Sequence, residues 1–114
     1  MTTTRLLRRM HARHCLRLLQ GGQTLSRADM ARALGVTRAT IGYAVAELTA
    51  AGLVLETPSP TPTRLGRPGV ALRLNPQGAL FIGIEMDTRA ISGVLLDLNM
   101  QVVARRVDPT GAAF

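Results

Sequence analysis

The stretch "SRADMARALGVTRATIGYAVAELTAAG", residues 26–52, constrains the fold more tightly than any other part of the chain. Ser26 is a good helix N-cap, and Asp29 three residues later completes a capping-box pattern. Met30, Ala31 and Leu34 form the apolar stripe of that helix. Gly35 then supplies the backbone freedom for a tight turn. Thr37 caps a second helix, with Ile41, Val45 and Leu48 as its buried stripe and Gly52 as its stop. Upstream, Ala12, Cys15, Leu16 and Leu19 recur at helical spacing, and Gly21 and Gly22 end that run. Two helices joined by a three- or four-residue turn containing glycine describe a helix-turn-helix. Val36 is the apolar plug of the turn.

The next segments extend the motif. Residues 53–56, "LVLE", read as a strand, and residues 70–74, "VALRL", as its return. Three helices followed by a two-stranded hairpin make a winged helix-turn-helix, an α+β fold, over residues 1–74. The wing and linker span residues 57–69. Pro58, Pro60 and Pro62 stiffen the approach through an extended, polyproline-like path. In "RLGRPG", Gly66 and Pro68 flank Arg67, as in short arginine hooks that enter narrow A·T-rich minor grooves. An ordered linker with incidental arginines is the plainer reading of the same residues.

Charge supports a polyanion-binding head. All 14 basic residues are arginines, and the net charge is +7. Residues 1–74 hold 11 arginines against Asp29, Glu47 and Glu56, a balance of +8; the remaining residues sum to −1. A uniform choice of arginine follows from GC-rich coding as readily as from phosphate contacts, so the distribution is the informative part. A basic segment joined to a neutral one points to nucleic acid. The single cysteine, Cys15, excludes a disulfide framework and zinc-finger spacing, and reads as inert core. No signal peptide or membrane-spanning run is present in the sequence, so a cytoplasmic location is expected, with no membrane partner. No metal or cofactor is expected, since His11 and His14 have no partner at ligand spacing.

The second helix of a helix-turn-helix enters the major groove of double-stranded DNA with its N-terminal residues nearest the bases. Those residues are Thr37, Arg38, Ala39, Thr40, Gly42 and Tyr43, on a helix about 22 Å long. Arg38 has the reach for guanine O6 and N7 or for a phosphate. The methyl groups of Ala39 and Thr40 suit thymine methyls. Thr37 serves as a cap, a contact or both. Ser26 and Arg27 open the first helix of the motif, and Arg64 and Arg67 lie on the wing; all four complete the candidate DNA-binding set. Arg5, Arg8, Arg9, Arg13 and Arg17 form a basic run on the first helix that reads as a solvated face, with no individual contact assigned.

Residues 75–114 read as three short strands: one beginning at Ile82 and Ile84, one over 91–98 and one over 102–107, with "LNMQ" as a tight turn. Three strands without a covering helix leave an apolar face and edges bare, so this segment is expected to open a larger domain.

The order "LSRADMARALGVTRATIGYAVAELTAAGLVLE", then "GRPGVALRLNP", then "IGIEMDTRAISGVLLDL" resembles the N-terminal part of ROK-family transcriptional regulators. The resemblance covers about residues 12–107. It implies a repressor of sugar-metabolism genes, with a winged-helix head fused to a sugar-kinase-like (actin-like ATPase) domain that starts in residues 75–114 and is incomplete there. It also implies a homodimer in the full-length protein and a sugar or sugar-derivative effector bound by the missing domain. Kinase members of the family carry an acid-x-Gly-x-Thr phosphate loop. The corresponding residues run Glu85-Met86-Asp87-Thr88-Arg89, with Asp87 at the glycine position. A negative charge there opposes phosphate, so no enzymatic activity is expected. The rival readings are the front of a ROK-type sugar kinase and a truncated, non-functional regulator.

Overall fold

A computed structural model describes residues 2–59 and 69–110. Three helices come first: α1 (Thr2–Leu19), α2 (Arg27–Leu34) and α3 (Arg38–Ala50). Two antiparallel sheets follow, one of β1 (Val54–Pro58) and β2 (Val70–Leu74), the other of β3 (Phe81–Met86), β4 (Ala90–Leu96) and β5 (Val102–Pro109) in that order. The architecture is α+β, with a winged helix-turn-helix at its N-terminal end.

One core holds the head together. Cys15 and Leu19 of α1, Met30 and Ala31 of α2, and Ile41, Ala44, Val45 and Leu48 of α3 are buried together with Val54, Leu72 and Leu74 of the hairpin. Each large side chain removed from water contributes about 1.5–3 kcal/mol, and these residues come from every element of the head. Burial also pushes the Cys15 thiol above its usual range, as suits an unreactive core cysteine.

Local chemistry sets the helix boundaries. The Ser26 hydroxyl accepts from the Asp29 amide at 3.0 Å, and the Ser26 amide donates back to the Asp29 carboxylate at 3.4 Å. Gly35 closes α2 at φ +67°, and its amide reaches back to the carbonyls of Ala31 and Arg32. Thr37 caps α3 by accepting from the Thr40 amide at 3.1 Å. Val36 is half-buried against the core.

The strands differ in detail from their sequence pattern. β1 runs past Glu56 to Pro58, which pairs with Val70, and the Ser59 amide donates to the Gly69 carbonyl at 2.8 Å. Pro58 is therefore part of the ladder. An edge strand tolerates a residue without an N–H, and β1 has β2 on one side only. On the other side of β2, Leu25 and Leu72 exchange backbone hydrogen bonds of 3.1 and 2.7 Å, adding a one-residue third strand that periodicity cannot reveal. β4 ends at Leu96, not Leu98. The Asp97 carboxylate accepts from the amides of Asn99 and Gln101, both at 2.9 Å, and fixes a turn there. Leu98 then packs against the core of the head.

Candidate nucleic-acid interface

The exposed side of α3 follows from its buried one. Ile41, Ala44, Val45 and Leu48 face inward, so Arg38, Ala39, Tyr43, Ala46, Glu47, Thr49 and Ala50 are exposed. Thr40 and Gly42 lie at the margin. The helix is about 20 Å long over its 13 residues. Its outer face is dominated by small side chains, so a flat ligand edge can approach the helix closely. Tyr43, 71% exposed, stands out of that surface.

The polar groups at the start of α3 are partly committed. Thr37 Oγ1 caps the helix and lies 2.9 Å from Thr40 Oγ1, so the two hydroxyls share one hydrogen bond. Arg38 occupies the first helical position, is exposed, and joins none of the ion pairs found among the described residues. With Arg32 it borders a shallow depression over the turn, lined also by Ala28, Ala31, Gly35 and Val36. Arg32 itself pairs with Asp29 one helical turn back.

Arg27 is tied into the fold. Its guanidinium pairs with Glu56 Oε1 at 2.7 Å, linking the start of α2 to the wing strand β1. Both side chains remain substantially exposed, so this is a weak structural link. Sequence reasoning places Arg27 in the candidate set without Glu56, because 29 residues separate them. Ser26 lies beside Arg27 with its hydroxyl oxygen engaged by the capping box. Arg64 and Arg67 lie outside the described residues. Thr37, Arg38, Ala39, Thr40 and Tyr43 thus lie at the start of α3, next to the turn, whereas Ser26 and Arg27 lie at the start of α2, the far end of that helix from the turn.

The hairpin between β3 and β4 carries the second set of residues with a chemical expectation. Asp87 Oδ1 accepts from the amides of Arg89 at 2.6 Å and Ala90 at 2.8 Å. Those two backbone N–H groups hold the carboxyl below its usual range. The turn's amides are occupied by the chain's own anion. Among the described residues no group of three or more His, Cys, Asp or Glu side chains is placed to hold a metal. Nor is any helix long and apolar enough to cross a membrane.

Residues 10–65 match the model of the MarR family, a stretch that takes in most of α1 and all of α2, α3 and β1. No curated protein matches the chain. Among solved structures, the chain superposes on a "ROK family transcriptional regulator, homolog of E. coli MLC protein" with a TM-score of 0.71. The identity is 23%, and the alignment covers 91% of this chain but 26% of that one. The fold is that of a winged helix-turn-helix, and the MarR-family match falls on that part of the chain. In fold the chain is similar to part of that ROK-family regulator. It spans about a quarter of that regulator's length.

Proposed function

We propose that the protein is a sequence-specific, cytoplasmic repressor of sugar-metabolism genes, and that the present chain supplies its DNA-reading head. Residues 1–74 form that head, and residues 75–114 open a sugar-kinase-like domain. The reading extends to a homodimer on a two-fold site, released by a sugar or sugar derivative bound in the remainder of that domain.

The observation that carries the reading is the first turn of α3. Arg38, Ala39 and Tyr43 are exposed over the first two turns, with Thr40 at the margin, beside a cap that fixes the helix start. Arg38 is placed to take guanine O6/N7 or a phosphate, and the methyl groups of Ala39 and Thr40 suit thymine. Arg64 and Arg67 on the wing reach the adjoining minor groove. Ser26 and Arg27 approach the backbone at the start of α2. The filled turn at Asp87 supports a regulator over a kinase, because a phosphate there must displace a carboxylate from two amides.

Selection of duplexes from a random library by the purified chain tests the proposal. A defined motif enriched over successive rounds supports it. Retention of all sequences alike, or of none, contradicts sequence-specific binding.

A further inference from the structure

The N-terminal half of α1 outruns the core. Residues 3–10 are exposed, and Cys15 is the first buried residue of the helix. At 1.5 Å per residue, residues 2–11 extend about 15 Å. The helical spacing of this arm carries the argument. Arg5, Arg8 and Arg9 continue the same stripe that Ala12, Cys15, Leu16 and Leu19 bury further along. One face of α1 therefore changes from apolar to cationic where it leaves the core.

That cationic face lies beside α3. Arg5, Arg8 and Arg9 line a depression with Thr4 and Glu47. Glu47 follows Thr40 and Tyr43 along the exposed side of α3. It is the one acid on the helix proposed to enter the groove, where a carboxylate alone repels phosphates. Three guanidinium groups against one carboxylate leave a surplus of positive charge at that end of α3.

We propose that the first turns of α1 are a DNA-phosphate arm, in which Arg5, Arg8 and Arg9 engage backbone phosphates flanking the base pairs read by α3. The proposal rests on the DNA-binding reading above. Arginine suits the task through its planar, multi-donor head. The opposite face of the arm carries exposed Leu6, Leu7 and Met10, so an anionic membrane surface is the competing partner. The position of the arginines against α3 favours DNA.

The test is the salt dependence of binding to a mixed-sequence duplex, followed by fluorescence anisotropy. The chain is compared with Arg8→Ala/Arg9→Ala, with Arg8→Lys/Arg9→Lys, and with Arg105→Ala/Arg106→Ala on β5 as a charge-matched control. Unfolding midpoints confirm that each variant folds. Each lost phosphate contact lowers the slope of log K against log salt by roughly one. The alanine arm variant is expected to lose roughly two units of slope, with equal weakening on all sequences. The lysine variant and the β5 control keep the slope. An unchanged slope in the arm variant overturns the arm and leaves the head's function standing. Equal losses in the arm variant and the β5 control reduce the effect to net charge and also overturn it. Failure of the parent chain to bind any duplex overturns both readings. An unchanged DNA slope, with Arg8/Arg9-dependent binding to phosphatidylglycerol vesicles, replaces DNA by membrane as the arm's partner.

Discussion

At the start of α3 an observed cap lies beside the proposed base contacts, and substitution separates the two. Thr37 fixes the helix start through the Thr40 amide. Thr37→Ala is expected to cost about 1 kcal/mol of stability, and Thr37→Ser to restore it; urea unfolding measures both. Asp29 gives a pH signature. The Ser26 hydroxyl, followed by the Ser26 amide, holds its carboxyl below the usual range. A lowered folded-state pKa stabilises above the ordinary carboxylate range, and the contribution is lost as pH falls through the folded value. Asp29→Ala should therefore flatten the acid limb of stability against pH; an unchanged limb contradicts a folded-state role for the capping box. Both caps are readable in the sequence, because cap and amide lie three residues apart. The Arg27–Glu56 pair is not, because only tertiary folding brings α2 beside β1.

Helices and strands followed from periodicity where an element has one buried face, and deviated where a tertiary contact intervened. The stripes of α1, α2 and α3 were visible as i, i+3 and i+4 patterns. The Leu25–Leu72 bridge was not, since a one-residue strand has no period. The apolar run predicts a strand continuing to Leu98, but the Asp97 carboxylate closes the turn first. Ile41 sits fully buried in α3, and Ile41→Ala should cost about 2–5 kcal/mol. A second prediction concerns Gly78, which follows β2. A Cβ built there would lie 2.5 Å from the Gly52 carbonyl oxygen and 3.1 Å from Leu53 Cα. Both obstacles are backbone, so Gly78→Ala must displace the turn after α3, at a cost of about 1–3 kcal/mol. A denaturant midpoint equal to that of the parent chain would show that the turn yields freely. Arg64 and Arg67 lie outside the described residues. The proposed minor-groove role of Arg67 predicts that Arg67→Ala weakens binding most on sites with adjoining A·T tracts.

Head and three-stranded sheet meet at a packed junction. The Asn75 side chain donates to the Gly52 carbonyl at 2.8 Å, the Leu98 amide donates to the Pro76 carbonyl at 3.1 Å, and the Leu98 side chain rests on the head's core. The segment after β2 is thereby fastened to the end of α3, the helix that carries the candidate base contacts. Nothing in the sequence pattern announces this junction, since Leu98 reads as the end of a strand. Leu98→Ala is expected to lower the melting temperature of the helical circular-dichroism signal, although the substitution lies in the sheet's hairpin. The charge split, by contrast, is visible from residue counts alone, and its largest share falls on α1, which carries Arg5, Arg8, Arg9, Arg13 and Arg17. What decides the account is competition binding with Arg38→Ala, on the duplex enriched by selection and on a scrambled version of it. Loss of about 1–3 kcal/mol of preference for the enriched duplex, with binding to the scrambled one largely kept, is the predicted result. An equal loss on both duplexes, or none on either, would contradict base reading by the first turn of α3.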